Sequence, residues 1–175
     1  YWNTTWTNAA GTNTIYVGSS SRDIRLTGTT TIPASGGGTT PPGQTIAITL
    51  RAHADNQYVC AENAGAAALI ANRTAIGLWE TFDEIDLGNG AVALRSHANN
   101  KYVTTPNSGS GSLIASSTTV GTAETFDLIH DPDGAVTLRA HSNNMYVTAE
   151  NAGAASLIAN RTAIGPWEEF DLIQD

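Results

Sequence analysis

A unit of 44 residues occurs three times, one copy after another, in the second part of this 175-residue chain. The copies align without gaps, and equivalent positions often hold the same apolar residue, for example Leu50, Leu94 and Leu138. Over the 36 positions that begin at Leu50 and at Leu138, the first and third copies are identical at 28, whereas the first and second copies share 19. One such unit is too small to bury its apolar face alone, so the three copies must pack around a common axis.

Each copy contains four short segments that are typical of β-strands. In the third copy they read AVTLRAH, MYVTAE, SLIANR and EEFDLIQ, and turn sequences such as NAGAA and AIGP separate them. Three units of four short strands favour an all-β domain that closes on itself and leaves no strand edge free for aggregation. We therefore predict a β-trefoil of about twelve strands over residues 45–175, with repeats at 45–87, 88–131 and 132–175.

The residues before the repeats divide into two parts. Residues 1–32 contain two stretches of alternating pattern around the turn sequence GSSSRD, which is too little to fold independently. Residues 33–44 read PASGGGTTPPGQ, the composition of a flexible linker. Because the chain begins with Tyr1 and not with Met, we expect it to be a piece of a longer protein.

The charge and hydropathy of the chain exclude two classes of partner. The formal net charge is −8 and the isoelectric point is near 4.7, which disfavours binding to a nucleic-acid backbone. The sequence has no basic patch for an anionic membrane surface, and no apolar run approaches the roughly 20 residues of a membrane helix. We therefore expect no nucleic-acid partner and no membrane partner.

The single cysteine, Cys60, has no partner for an intrachain disulfide. Its equivalents in the other copies are Thr104 and Thr148, so the repeats share no thiol chemistry at this position. We interpret Cys60 as a small, partly buried strand residue and not as a reactive thiol.

The repeats provide an internal test of which residues the fold needs. A residue required by the fold recurs in each copy, because each copy fills the same structural place, whereas a residue required by a local site can be lost from one copy. The residues retained three times are mostly apolar or turn residues, which we interpret as scaffold. They include Leu50/Leu94/Leu138, Tyr58/Tyr102/Tyr146, Leu69/Leu113/Leu157, Gly77/Gly121/Gly165, Phe82/Phe126/Phe170 and Ile85/Ile129/Ile173.

A second group of residues is lost together from the middle copy. A carboxylate, an amide, a guanidinium and an indole occur in the first and third copies, and the middle copy has none of them. The first copy has Glu62, Asn72, Arg73 and Trp79; the third has Glu150, Asn160, Arg161 and Trp167; the middle has Pro106, Ser116, Ser117 and Ala123. Exposed aromatic residues with polar neighbours mark recognition sites, so we predict two binding sites. The structural alternative is an Arg–Glu ion pair beneath the tryptophan, with a repacked middle copy; the two interpretations are compatible.

Two retained polar positions have more than one interpretation. Glu80, Glu124 and Glu168 occur in every copy, so this glutamate serves the fold, a ligand or both, and Glu124 marks at most a weak or lost site. His53, His97 and His141 also recur, just before the asparagine turns. With no carboxylate apparent beside them, we expect each to hydrogen-bond its own turn and not to bind a metal.

Catalysis is not indicated by any motif. Almost every acidic or histidine position belongs to the repeat, and the exceptions form no pair of carboxylates or Ser-His-Asp set. We therefore predict no catalytic residue, no cofactor and no metal. An exposed indole offers a flat apolar face to a sugar ring, and neighbouring Glu, Asn and Arg side chains can hydrogen-bond its hydroxyls. Two such sites on one domain would raise the apparent affinity for a long polymer.

The third repeat, LRAHSNNMYVTAENAGAASLIANRTAIGPWEEFDLI, resembles the fascin-like β-trefoil modules found beside bacterial, often actinobacterial, glycoside hydrolases. The likeness covers residues 45–175 and implies a carbohydrate-binding module with one site per repeat. The chain also resembles β-glucan-binding trefoil modules that use a Trp-Glu pair in each repeat. That likeness implies sites at Trp79 with Glu80 and at Trp167 with Glu168, whereas Ala123 departs from the pattern.

The front segment GTNTIYVGSSSRDIRLTGTTTI, residues 11–32, is similar to the last strands of the fibronectin type III-like domain that closes family 3 glycoside hydrolases. This resemblance implies a catalytic domain of β-glucosidase type upstream in the same chain. From both resemblances we expect a secreted, monomeric module that binds a polysaccharide, with β-glucan favoured. The alternatives are a protein-interaction trefoil similar to fascin, which bundles actin, and a purely structural spacer.

Overall fold

The computed structural model describes residues 11–20, 23–32 and 45–174. The chain divides into two compact units, Tyr1–Gly38 and Thr39–Asp175. In the first unit, β1 (Gly11–Ser20) and β2 (Asp23–Ile32) form a two-stranded antiparallel sheet, which accounts for the two strands expected there. The linker predicted at residues 33–44 lies outside the described residues.

The second unit contains twelve strands, four in each 44-residue repeat. The first repeat has β3 (Thr45–Ala52), β4 (Tyr58–Ala61), β5 (Leu69–Arg73) and β6 (Phe82–Gly88); the second has β7 (Ala91–Ser96), β8 (Tyr102–Thr104), β9 (Ile114–Ser117) and β10 (Phe126–His130); the third has β11 (Val136–Ala140), β12 (Tyr146–Ala149), β13 (Leu157–Arg161) and β14 (Phe170–Gln174). Two single 3-10 turns, Asn107–Gly109 and Thr122–Glu124, lie in the second repeat. The prediction of an all-β domain of about twelve strands is confirmed.

The first and fourth strands of each repeat form a closed antiparallel barrel. Its six strands pair in the order β3, β6, β7, β10, β11 and β14, and β14 pairs in turn with β3. Because the order returns to its start, every barrel strand has a neighbour on both sides and no edge is exposed. Each repeat contributes two adjacent strands, which gives the barrel a threefold arrangement.

The second and third strands of each repeat form three hairpins, β4–β5, β8–β9 and β12–β13. The hairpins meet one another, because the amide of Leu69 donates to the carbonyl of Leu113 and the amide of Leu113 donates to that of Leu157, both at 2.8 Å. A bridge between Ile70 and Ser156 completes the ring. A six-stranded barrel with a triangle of hairpins is the predicted β-trefoil.

The core follows from the alternation of side chains along the barrel strands. The phenylalanines that begin β6, β10 and β14 are fully buried, with Phe82, Phe126 and Phe170 all at 0% exposure. In β6, positions 82, 84 and 86 point inward while positions 83 and 85 are partly exposed, as expected for a period of two. The retained leucines and phenylalanines are therefore core residues, as the repeat comparison predicted. The retained tyrosines and isoleucines, such as Tyr58 and Ile85, are only partly buried.

Candidate functional site

Trp79 and Trp167 lie in the turns that lead into β6 and β14. Their exposed fractions are 38% and 37%, which is high for so large an apolar side chain. The backbone of each turn is fixed, because the amide of Ala61 donates to the carbonyl of Trp79 and the amide of Ala149 donates to that of Trp167, both at 2.8 Å. Each tryptophan is therefore partly exposed to solvent, and a backbone hydrogen bond positions the turn that carries it.

Three polar side chains of the first repeat form a closed ring of hydrogen bonds. Asn72 Nδ2 donates to Glu62 Oε1 at 2.8 Å, and Arg73 Nη1 donates to Asn72 Oδ1 at 2.8 Å. Arg73 Nη2 lies 2.6 Å from Glu62 Oε1 and closes the ring. Residues 62, 72 and 73 come from the end of β4 and the end of β5, which are paired strands. The structure thus brings together three of the residues that the sequence assigned to the first site.

The third repeat contains the same ring. Asn160 Nδ2 donates to Glu150 Oε2 at 3.1 Å, and Arg161 Nη1 donates to Asn160 Oδ1 at 2.7 Å. Arg161 Nη2 donates to both carboxylate oxygens of Glu150, at 2.8 and 3.0 Å. The ion pair of the structural alternative is therefore present in both repeats, together with an exposed tryptophan.

The electrostatics of the two rings agree with their geometry. The hydrogen bond from Asn72 and the charge of Arg73 hold the pKa of Glu62 below its usual range, against the opposing effect of burial. In the third repeat the hydrogen bonds from Asn160 and Arg161 lower the pKa of Glu150 in the same way. Both carboxylates are consequently ionised acceptors at neutral pH, held in place by their neighbours.

The side chains of the retained glutamates Glu80 and Glu124 bond the backbone of the turns that lead into β6 and β10. Glu80 Oε2 accepts a hydrogen bond from the amide of Gly77 at 2.8 Å, and Glu124 Oε2 accepts one from Gly121 at 2.9 Å. The second oxygen of Glu80 faces the ring, with Oε1 at 3.8 Å from Arg73 Nε, and Glu168 Oε1 lies 3.9 Å from Arg161 Nε. The backbone amide of this glutamate donates to the glycine carbonyl of its turn in all three repeats, and its side chain adjoins the ring in two.

The middle repeat keeps the backbone of the site without its side chains. The amide of Thr105 donates to the carbonyl of Ala123 at 2.8 Å, which reproduces the bond made to each tryptophan carbonyl. In place of the ring, the Ser117 hydroxyl donates to the carbonyl of Thr119 at 2.7 Å. The frame of the motif and the residues it displays are thus separable.

Apolar neighbours enlarge the exposed surface near Trp79. Leu78 is 69% exposed and Ile76 is 42% exposed in the first repeat, whereas the third repeat has Pro166 and Ile164 at these positions. Sequence reasoning missed Ile76 and Leu78 because their equivalents in the repeats are also apolar or small. Comparison of positions 78, 122 and 166, which hold Leu, Thr and Pro, was the available signal.

The expectation for the three histidines was wrong. Each imidazole bonds an aspartate of a neighbouring repeat and not its own turn. The distances from Nε2 to the carboxylate oxygen are 2.9 Å for His53 and Asp171, 2.7 Å for His97 and Asp83, and 2.6 Å for His141 and Asp127. The arginine two positions before each histidine donates through Nε to the other oxygen of the same aspartate. These arginines are Arg51, Arg95 and Arg139. These three Arg-Asp-His clusters join the repeats. Within the described residues, no group of three or more His, Cys, Asp or Glu side chains is arranged to hold a metal ion.

Cys60 lies in β4 and is fully buried, not partly buried as expected. Burial, together with a hydrogen bond to Glu80, raises its pKa to about 12. The thiol is therefore protonated at neutral pH and is a poor nucleophile, in agreement with its interpretation as a structural residue.

A protein-family model described as "Domain of unknown function (DUF7910)" matches residues 44–142, which is more than half of the chain. The chain belongs to the DUF7910 family. The matched range of this DUF7910 chain contains the first and second repeats and the first strand of the third. The ring and indole of the first repeat thus lie inside the matched range, and those of the third repeat follow it. No curated protein matches the sequence.

Several solved structures are similar to this DUF7910 protein, and one of them, a BEL β-trefoil, is 13% identical with a TM-score of 0.63, covering 78% of this chain and 97% of that one. ThreeFoil, a designed threefold-symmetric protein, is 21% identical with a TM-score of 0.67, and the match covers 73% of this chain and 97% of that one. An exo-β-1,3-galactanase from Clostridium thermocellum is 14% identical with a TM-score of 0.65, covering 84% of this chain and 34% of the enzyme. A Polyporus squamosus lectin is 11% identical with a TM-score of 0.64, covering 77% of this chain and 50% of the lectin. At these identities the comparison shows the β-trefoil fold.

Among the described residues, no helix is both long and apolar enough to cross a membrane.

Proposed function

We propose that this DUF7910 chain is a non-catalytic polysaccharide-binding module with two sites. One observation carries the proposal: the exposed indole and the Glu-Asn-Arg ring occur together in the first and third repeats, and both are missing from the middle repeat, where the supporting backbone is intact. A ring needed by the trefoil itself would be expected in all three repeats.

The chemistry of each site suits a sugar. A tryptophan face packs against the C–H groups of a pyranose ring at low conformational entropy cost. The ring side chains are partly exposed, at 36% for Arg73 and 25% for Glu62, so they retain donor and acceptor capacity toward solvent. Because the ring bonds already fix these side chains, little rotamer freedom is lost when a ligand binds.

The finer parts of the proposal concern the ligand and the whole protein. We propose β-glucan as the favoured ligand and an upstream, covalently linked glycoside hydrolase of the family 3 β-glucosidase type as the enzyme that a secreted, monomeric module brings to its substrate. The resemblances of residues 11–32 and 45–175 support this. The galactanase and the lectin among the similar structures, the latter solved with a sialylated trisaccharide, show that related trefoil structures occur in sugar-active and sugar-binding proteins.

Affinity electrophoresis tests the proposal directly. The chain is run through native gels that contain soluble β-glucan, xylan or mannan, and its binding to insoluble β-glucan and chitin is measured by pull-down. We expect retardation by β-glucan. If no polysaccharide retards or captures the chain, the proposed function is wrong.

Two substitutions locate the sites. Trp79→Ala and Trp167→Ala should each remove one site, and the double variant should lose binding by about tenfold or more, which corresponds to roughly 1.4 kcal/mol. The double variant should still unfold cooperatively, because both tryptophans lie outside the buried core and are more than one-third exposed. Val120→Ala is the matched control, since Val120 is 38% exposed in the repeat that lacks the ring. Unfolding of the double variant would identify both tryptophans as core residues.

The exposed apolar side chains Ile76 and Leu78 favour one alternative, a protein-interaction surface. Leu78→Ala separates the two functions. A sugar site that depends on Trp79 should tolerate this change, whereas a protein interface centred on the patch should not.

A further inference from the structure

The two candidate sites lie on different sides of the barrel. Trp79 precedes β6 and Trp167 precedes β14, and these strands are separated by β3 alone in the closed order of six. Two steps of six are one third of a turn, so the two turns that bear the indoles face directions about 120° apart.

Each site is complete within its own repeat. The first ring uses residues 62, 72 and 73, the third uses residues 150, 160 and 161, and neither borrows a side chain from the other. Each tryptophan carbonyl is likewise bonded within its own repeat, by Ala61 or by Ala149. A sugar bound at one site therefore has no structural need of the second.

The two barrel strands between the sites present charged side chains and no exposed aromatic residue. The strands β14 and β3 carry the Arg51–Asp171–His53 cluster on their outer faces, where the side chains of Arg51 and Asp171 are 37% and 35% exposed. No large exposed apolar side chain of the described residues belongs to either strand, so the arc has no stacking platform. A polymer that engaged both sites would have to bend by about one third of a turn around the barrel.

We propose that this module bridges two separate polysaccharide chains and does not hold one chain at both sites. The inference rests on the proposed function and replaces the expectation that both sites engage one long polymer. The loss of the middle site leaves a divalent module, and divalence is the minimum required for bridging.

The test compares a short ligand with a polymer. Titration calorimetry with the tetrasaccharide of β-1,3-1,4-glucan should give two sites for the natural chain and one each for Trp79→Ala and Trp167→Ala. With soluble β-1,3-1,4-glucan, viscosity or turbidity should rise only for the natural chain, and should fall again at excess protein as every module occupies its own stretch. Per-site affinity for the polymer should stay within about threefold across the three proteins, because no chelate gain is lost.

Four results would count against bridging. A loss of about 100-fold or more in polymer affinity on removing one tryptophan, with tetrasaccharide affinity unchanged, would show that one chain spans both sites. Cross-linking of the polymer by either single-site variant would show that the cross-links come from self-association of the protein. Absence of binding to the tetrasaccharide and to every polysaccharide of the electrophoresis panel would overturn the proposed function, and the bridging proposal with it. Equal per-site affinities without cross-linking would overturn bridging alone.

Discussion

Asp171 in the last barrel strand is bonded to Arg51 in the first, 120 residues earlier in the chain. Arg51 Nε donates to Asp171 Oδ2 at 2.9 Å, and Asp171 Oδ1 lies 2.9 Å from His53 Nε2. The same cluster joins the first repeat to the second through Asp83 and the second to the third through Asp127. Three equivalent polar clasps therefore hold the threefold barrel closed, and the one at Asp171 connects the ends of the domain.

Asp171→Asn should lower the free energy of unfolding by about 1 kcal/mol at pH 7, since the cluster is partly exposed and its charges are screened. The hydrogen bonds from His53 and Arg51 depress the pKa of Asp171. A depressed carboxyl pKa stabilises the fold above the unfolded value of about 3.9, and this contribution is lost as the pH falls through the folded pKa. Urea unfolding should thus show a difference between the two proteins at pH 7 that closes near pH 2.

The pKa of His53 in the same cluster shifts in the opposite direction, so its contribution to stability has the opposite pH dependence. The hydrogen bond to Asp171 raises the pKa of His53, with further support from the charge of Glu169. Its contribution is fully present below the unfolded value of about 6.5 and is lost as the pH rises through the folded pKa. Asp171→Asn should therefore also flatten the stability profile between pH 6 and 8. A difference that is constant from pH 2 to 8 would contradict a charge-based clasp.

The strands could be predicted from the sequence because their signals are local. The four segments named in the third repeat contain β11, β12, β13 and β14, with bounds that differ by two residues at most. Alternation, turn residues and the triple repeat were sufficient, since each strand carries its own pattern. The repeat comparison also separated core phenylalanines from exposed tryptophans.

Contacts between repeats could not be predicted in the same way. Arg51, His53 and Asp171 are all retained in equivalent positions, but retention does not say that they touch, and the contact spans 120 residues. The role of Glu80 stayed open for a related reason, because its partner is the backbone amide of Gly77 and the amide leaves no mark in a sequence. Joint retention of Arg, His and Asp was the signal that would have found the clasp.

Glu84→Leu should stabilise the domain. Glu84 points into the barrel at 3% exposure, at the position where the other repeats have Leu128 and Leu172. Burial, and then the charge of Asp86, raise its pKa, because the ionised form is disfavoured there. Replacing a buried acid whose ionised form is disfavoured by the leucine of the other repeats should add about 1 to 3 kcal/mol at neutral pH, measured by urea unfolding.

The pH dependence of stability tests whether the charge of Glu84 is the cause of the destabilisation. A raised carboxyl pKa leaves the fold most stable below the unfolded value of about 4.3, and stability declines as the pH rises through the folded pKa. This decline should be absent from Glu84→Leu and also from Glu84→Gln, the control that removes the charge and keeps a polar group. If Glu84→Leu is less stable than the natural chain at pH 7, Glu84 has a favourable partner and the prediction is wrong.

Asp55→Asn should also stabilise the fold, by restoring a hydrogen bond that two repeats make. Asn99 Nδ2 donates to the carbonyl of Ala115 and Asn143 Nδ2 donates to that of Ala159, both at 2.8 Å. At the equivalent place, Asp55 accepts a bond from the amide of Gln57 at 3.0 Å but has no amide hydrogen to donate to Ala71. The gain should be about 1 kcal/mol in thermal or urea unfolding. Asn143→Asp is the reverse control and should lose a similar amount; no change in either variant would rule the bond out as a source of stability.

The middle repeat should become a third site when the missing side chains are returned. Its hairpin loop keeps one backbone bond of the first repeat, because the amide of Gly111 donates to the carbonyl of Pro106 at 3.1 Å as that of Ala67 donates to Glu62 at 3.0 Å. The loops differ at Gly109, whose amide donates to Pro106, whereas that of Gly65 donates to Ala61. The variant carries four changes: Pro106→Glu, Ser116→Asn, Ser117→Arg and Ala123→Trp. Titration with the β-1,3-1,4-glucan tetrasaccharide should give three sites where the natural chain gives two.

Ala123→Trp alone is the control for this variant. This variant supplies the indole without the ring, so the sugar face is packed but its hydroxyls have no fixed partners. Its new site should therefore bind at least tenfold more weakly than the new site of the variant with all four changes. If the variant with all four changes unfolds cooperatively but still binds the tetrasaccharide at only two sites, the indole and the ring are not sufficient for binding. Three sites of equal affinity in both variants would show that the ring serves only the hairpin. The expected order, with a full site only when the indole and the ring are both present, would make the joint loss of these residues from the middle repeat the loss of one functional unit.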